Sequence, residues 1–272
     1  MQLFGLLGFP LGHSFSKTYF TEKFKAEKID AEFVNFESDN IEQTLQVIKT
    51  TPSLKGFAVT IPYKEKIIPY LDHISEDARK IGAVNSVKVE HTISGSILTG
   101  YNTDILGFRE SLLEFIQTPP TQALLLGTGG ASKAVQHALA SLGIEVFTVS
   151  RTPHFSEISY DQVARFLSNT PLIINATPVG MYPNTGVSPV DLDRFPACEG
   201  VFDLIYNPAR TQLLLDAEHR GLLCSNGLGM LVAQAKAAAE RFLDRAIPDN
   251  RVEEITRQME RQTQNLLLIG MP

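Results

Sequence analysis

Short apolar runs alternate with stretches of helical period along almost the whole chain. Residues 3–9 form a run with the length and composition of a buried strand. Within 18–29, Phe20 and Phe24 stand four apart, as on one helix face. A second strand-like run covers 31–36, and Ile41, Leu45 and Ile48 mark the next apolar helix face. A third run, 56–61, stops at Pro62. This alternation predicts a mostly parallel sheet covered by helices. Residues 83–89 and 93–101 predict an edge pair of strands, with Val87 and Val89 alternating against Lys88 and Glu90. A helix is predicted over about 105–116, and Thr118-Pro119-Pro120-Thr121 reads as a linker. Alternation restarts at Ala123. Apolar runs at 123–126, 145–149, 172–175, 201–206 and 222–225 predict a second sheet, and the pattern after Gly227 is helical almost to the end.

The second sheet carries the strongest local signal. The run 123–126 leads into Gly127-Thr128-Gly129-Gly130-Ala131-Ser132 and then into good helix formers, 133–140. Strand, glycine turn and helix start make an anion site, because backbone N–H groups and the helix dipole point at a phosphate that glycine lets approach. The pattern is the dinucleotide fingerprint, with Ser132 in its third and least strict position. Roughly 20 residues on, an NAD site keeps an acidic residue for the ribose. Here Ser150-Arg151-Thr152 stands instead. A guanidinium between two hydroxyl side chains suits the extra phosphate of NADP.

Composition narrows the partners. The chain has 272 residues, 43% of them apolar, enough for two cores and too apolar for wholesale disorder. A net charge of −6 without a Lys/Arg block argues against nucleic acid or an anionic membrane as partner. Cys198 and Cys224 lack metal or redox spacing, so two reduced thiols and no metal are expected. No basic leader and no 18-residue apolar stretch occur, and a cytoplasmic protein is expected. The apolar run 266–269 reads as packing onto a domain or as a subunit contact, which leaves monomer and homodimer open.

Ligands of open parallel sheets sit beyond the carboxyl ends of the strands. In the first half that rule selects Ser14 and Ser16, whose hydroxyls suit a carboxylate or cap a helix. It also selects Lys64, just past the third strand, which faces a ligand or solvent. Asp104 is a candidate with helix capping as its rival, and Asn85 is either a hydrogen-bonding side chain or a turn residue.

The ordered set GFPLGHSFS, VTIPYK, GAVNS, NTD, GTGGAS, SRT, NATPVGM and GLGMLVAQ closely resembles the shikimate dehydrogenase family over nearly the whole chain. The resemblance implies reversible NADPH-dependent reduction of 3-dehydroshikimate to shikimate, a step toward chorismate and the aromatic amino acids. It implies that Ser14 and Ser16 take the substrate carboxylate. Thr60, Lys64, Asn85, Asp104, Tyr206 and Gln234 would surround the rest of the substrate, with Lys64 and Asp104 as the catalytic pair. Gly127, Thr128, Gly129, Gly130, Ala131, Ser150, Arg151, Thr152, Leu204 and Gly227 would face NADP, and Glu76 the nicotinamide side. The expected fold is thus α/β with two α/β domains. Residues 1–104 with about 240–272 form a substrate domain, 105–239 form a Rossmann-type NADP-binding domain, and the small-molecule site lies in a cleft between.

The chain departs from the family pattern at Lys17 (commonly proline), Ser86 (threonine) and Ser150 (asparagine). The alternative within the class is a quinate/shikimate dehydrogenase that tolerates NAD. A non-catalytic NADP sensor would be marked by loss of Lys64 or Asp104, and both are present.

Overall fold

The computed structural model describes residues 1–11, 15–26, 29–166 and 168–247. They divide into two compact units, Met1–Thr103 with Ala237–Ala246, and Asp104–Lys236. The first unit runs β1 (Gln2–Gly8), α1 (Phe15–Ala26), β2 (Ala31–Glu37), α2 (Ile41–Lys49), β3 (Leu54–Val59), α3 (Tyr63–Lys66), β4 (His73–Ile74), α4 (Glu76–Ile81), β5 (Ser86–Thr92) and β6 (Gly95–Tyr101). Among the described residues its strands form one sheet in the order β2-β1-β3-β5-β6-β4. The β1 pairings to β2 and β3 are parallel, as the alternation predicts, whereas β5 is antiparallel to β3 and β6.

Two expectations need correction here. Residues 83–85 precede β5 rather than belonging to it, and the β5–β6 pair does not form the edge. The two residues of β4 add in parallel beyond β6. They are tied by Asp72, whose N–H donates to the Leu98 carbonyl at 3.0 Å and whose carboxylate accepts from Leu98 N–H at 2.8 Å. A strand that short leaves no period-two signature.

Apolar spacing becomes packing as expected. Leu45 and Ile48 of α2 enter a core with Leu7, Phe57, Val59, Val87 and Leu98. Phe20 of α1 stacks on Phe33 of β2 with centroids 4.6 Å apart, and Phe24 meets Phe4 at 5.5 Å.

The second unit begins with α5 (Asp104–Phe115). It continues with β7 (Gln122–Leu126), α6 (Gly130–Ser141), β8 (Glu145–Ser150), β9 (Ile158–Ser159), α7 (Tyr160–Phe166), β10 (Leu172–Asn175), β11 (Gly200–Asp203), α8 (Gln212–His219) and β12 (Leu223–Ser225). Its sheet has the order β12-β11-β10-β7-β8-β9, with every pair parallel. Strands follow in one direction from β7 to β9 and in the other from β10 to β12, so the order reverses between β7 and β10. Such a switch point opens a crevice at the strands' carboxyl ends. The fully buried run of β7 accounts for its unbroken apolar sequence.

Among the described residues the last helix is α9 (Leu228–Leu243), and the helix expected beyond residue 247 lies outside the described residues. Asp244 takes a left-handed φ of 49° and binds Lys88 of β5 at 2.8 Å, which turns the chain out of the helix. Phe242, shortly before the helix end, stacks on Phe4. The apolar run 266–269 lies outside the described residues.

Candidate functional site

Antiparallel entry of β5 puts several chemical side chains at one end of the first sheet. Because Ala58 near the end of β3 pairs with Ser86 at the start of β5, Asn85 arrives opposite Val59, the residue before Thr60. Main-chain bonds then lock the set. Val59 N–H donates to the Asn85 carbonyl, and Val84 N–H donates to the Lys64 carbonyl, both at 2.7 Å. Thr60 N–H reaches back to the Leu7 carbonyl of β1 at 2.9 Å. Ser86 also pairs with Tyr101, the last residue of β6, which brings Thr103 to the same end.

Asn85 is 3% exposed, and its Oδ1 accepts from Thr103 N–H at 2.7 Å and from the Thr103 hydroxyl at 3.2 Å. With Oδ1 engaged twice, the amide nitrogen, a donor, is the end suited to a ligand oxygen. Lys64 is half-buried in the one-turn helix α3. The structure therefore brings Thr60, Lys64 and Asn85 together in one unit.

Ser14 lies outside the described residues, and Ser16 sits half-buried in the first turn of α1. Asp104 follows Thr103 directly as the first residue of α5 and is buried. Glu76 opens α4 on the first unit, not the unit with the glycine turn, and Lys80 holds its carboxyl below the usual range at 2.7 Å. Gln234, in α9, donates to the Leu231 carbonyl at 2.9 Å.

In the second unit, the glycine turn has the form of an anion cradle. Gly127 takes φ of +106°, which a side chain rarely adopts, and its N–H pairs with the Val149 carbonyl at 2.9 Å. Gly129 is the N-cap of α6, no side chain caps the helix, and no acidic residue stands in its first turn. Ser132, in the third fingerprint position, is fully buried and donates to the Gly127 carbonyl at 2.5 Å, so it braces the turn from beneath. At the neighbouring strand end, the Ser150 hydroxyl accepts from Thr152 N–H at 3.3 Å, shaping the turn that presents the exposed Arg151. Tyr160 stands close by, where burial pushes its phenol up and the Arg151 cation pulls it back.

On the other side of the switch point, the Leu204–Tyr206 segment and Gly227 meet backbone to backbone. Gly227 N–H donates to the Ile205 carbonyl at 3.1 Å, and a Cβ on Gly227 would overlap the Leu204 carbonyl oxygen. Gly227→Ala therefore cannot fit without moving backbone. It is expected to cost about 3 kcal/mol of stability in chemical denaturation, where a cost below about 1 kcal/mol would contradict this contact. Tyr206 is half-buried, which pushes its phenol up.

Sequence reasoning missed what holds these loops. Asp203, at the end of β11, is fully buried. Its Oδ1 accepts from Asn175 Nδ2 and from Ile205 N–H, each at 3.0 Å, and its Oδ2 accepts from the Thr211 hydroxyl at 2.6 Å. Burial pushes its carboxyl up to about 6 from an ordinary 3.8, against those three hydrogen bonds. A polar residue ending an apolar strand was the available signal.

The shift has a thermodynamic consequence. The unfolded chain releases this proton near 3.8 and the folded chain only near 6, so stability is lost as pH rises through that window. The full effect is about 3 kcal/mol at ~1.4 kcal/mol per pH unit. Asp203→Asn removes the titration. Its unfolding free energy relative to the unaltered protein is expected to rise by about 3 kcal/mol between acid and mildly alkaline pH in urea denaturation. A difference independent of pH would contradict the assignment.

Among the described residues, no group of His, Cys, Asp and Glu could hold a metal, and no helix is long and apolar enough to cross a membrane.

An all-parallel sheet with an uncapped helix start behind a glycine turn at its switch point defines the second unit as a dinucleotide-binding α/β domain. Residues 6–87 match the family model for the shikimate dehydrogenase substrate binding domain. A shikimate dehydrogenase (NADP(+)) of Caldanaerobacter subterraneus subsp. tengcongensis is 37% identical over 257 residues, 87% of this chain and 90% of that protein. The chain belongs to the shikimate dehydrogenase family. Solved structures agree: a chorismate mutase/shikimate 5-dehydrogenase fusion protein from Clostridium acetobutylicum matches with TM-score 0.88 at 35% identity, covering 97% of this chain and 99% of that one. Shikimate 5-dehydrogenase from Thermus thermophilus, in complex with NADP(H) and shikimate, matches with TM-score 0.80 at 30% identity, covering 95% and 99%.

Proposed function

We propose that this protein catalyses the reversible NADPH-dependent reduction of 3-dehydroshikimate to shikimate, a step of aromatic amino acid biosynthesis. The observation that carries the reading is the joining of Thr60, Lys64 and Asn85 at one sheet end of a chain in this family. Residues 1–104 with about 240–272 take the substrate, and residues 105–239 take NADP.

The residues present fit the cofactor. Open N–H groups behind Gly127, with no acidic side chain in the first turn of α6, suit a pyrophosphate, and Arg151 with Ser150 and Thr152 suits the 2′-phosphate. Thr128, Gly129, Gly130, Ala131, Leu204 and Gly227 complete the cofactor side, with Glu76 toward the nicotinamide. When bound, NADPH supplies the hydride.

The protein's own part is binding and the proton. Ser14 and Ser16 hold the carboxylate of the substrate, and Thr60, Asn85, Tyr206 and Gln234 bind its oxygens. As the ketone carbon gains hydride, its oxygen gains negative charge and needs one proton. Lys64 donates it and stabilises the charge while it develops. Asp104 is its partner in the acid–base pair and binds a substrate hydroxyl. In the oxidation direction Lys64 takes the proton back. The protein acts in the cytoplasm on small molecules, as monomer or homodimer.

The test is to mix purified protein, 3-dehydroshikimate and NADPH, following nicotinamide absorbance and product. One shikimate formed per NADPH consumed is expected. No consumption by a folded protein would sink the proposal.

A further inference from the structure

We propose that Asp203 is a positioning residue for cofactor binding: its carboxylate fixes the β10 and β11 loops on both sides of the second unit's crevice. The inference rests on the reading of that unit as the NADP site.

Asn175 and Asp203 are paired positions at the ends of β10 and β11, and both are fully buried. Asp203 acts on three elements at once. Through Ile205 N–H it sets the Leu204–Tyr206 segment, whose Ile205 carbonyl accepts from Gly227 ahead of α9. Through Thr211, whose hydroxyl also caps α8 at Leu214 N–H, it sets the start of that helix. Through Asn175 it reaches the loop after β10, because Asn175 Oδ1 accepts from Thr177 N–H at 3.0 Å and from the Thr177 hydroxyl at 2.7 Å. That loop is the wall of the glycine turn. Ala176 N–H donates to the Leu126 carbonyl at 2.9 Å, and a Cβ on Gly127 would stand 3.0 Å from Thr177 Cγ2.

One carboxylate thus connects the glycine turn on one side of the crevice with the Leu204–Gly227 contact on the other. Stability alone gives little reason to keep it. The groups acting on Asp203 are neutral ones, Thr211, Asn175 and a backbone N–H, and a buried carboxylate without a cation costs free energy. Only an ionised carboxylate accepts from all three donors with no donor of its own, which fixes the orientation of each.

The test compares NADP+ dissociation constants, by titration of intrinsic fluorescence, with steady-state kinetics at pH 8. Asp203→Ser strips the acceptor from Asn175 and Ile205. It is expected to weaken NADP+ binding about tenfold or more, while kcat at saturation falls less than about threefold and the shikimate KM stays within twofold. Asp203→Asn keeps one oxygen for those donors and is expected to restore binding to within about threefold of the unaltered protein. A purely structural residue would instead lower melting temperature and active fraction, leaving the dissociation constant of the folded protein unchanged.

A folded Asp203→Ser variant that binds NADP+ within twofold of the unaltered protein overturns the proposal, as does an Asn variant as weak as the Ser one. If the Ser variant does not fold, Thr211→Val carries the test, with about a threefold loss expected and unchanged binding contradicting it. If the unaltered protein itself binds no NADP+, the reading of the second unit fails and takes this inference with it. Normal binding by the unaltered protein alongside unchanged binding by the variants removes this inference alone.

Discussion

Lys64→Ala is expected to lower turnover at least about 100-fold, with the shikimate KM changed far less. The reduced ketone oxygen must gain a proton, and positioned acid–base groups contribute about two to four orders of magnitude. The main-chain anchor of the loop survives the change, because alanine keeps the carbonyl that accepts from Val84 N–H at 2.7 Å. Lys64→Arg separates two roles that alanine confounds. A guanidinium keeps the positive charge but does not give up its proton. Arginine should therefore be nearly as damaging as alanine. If arginine restored most of the turnover, Lys64 would act by charge alone, and near-normal turnover in Lys64→Ala would remove it from the mechanism.

The second large effect is expected at Arg151. Arg151→Ala should raise the KM for NADPH about 30-fold and leave the weak KM for NADH within about twofold, because a hydrogen bond to a charged group is worth about 1.5–3 kcal/mol and only NADPH carries the 2′-phosphate. Arg151 is exposed at the end of β8 on a turn shaped by Ser150, so the alanine variant should keep the fold. Equal effects on both cofactors would show that Arg151 does not meet the 2′-phosphate.

Much of this was legible in the sequence, for identifiable reasons. The glycine turn could be read because its constraint is local: strand, positive-φ glycine and helix start are contiguous from Ala123 to Ala140. Lys64 and Asp104 could be picked out because strand ends are where α/β sheets keep their chemistry. What could not be read depends on pairing across the sequence. The two-residue β4 is held by Asp72 on a strand 26 residues away, and nothing local marks it. Asn85 opposite Val59, one residue before Thr60, follows from an antiparallel register that alternation alone does not set. Asp203 looks like an ordinary strand-end residue until Asn175 and Thr211, 28 and 8 residues away, are seen converging on it. Ser132 shows the reverse case: the fingerprint named the position, and only the structure revealed a hydroxyl bracing the turn rather than facing outward.

Shikimate oxidation by NADP+ is expected to run through Lys64, with Arg151 reading the cofactor. Nicotinamide absorbance under four conditions, shikimate or quinate with NADP+ or NAD+, measures both roles at once. Rapid NADPH formation from shikimate and NADP+ is expected, with the other three pairs slow. Comparable rates with quinate or NAD+ would contradict the specificity assigned here, and silence in all four with NADP+ still bound would contradict the enzyme.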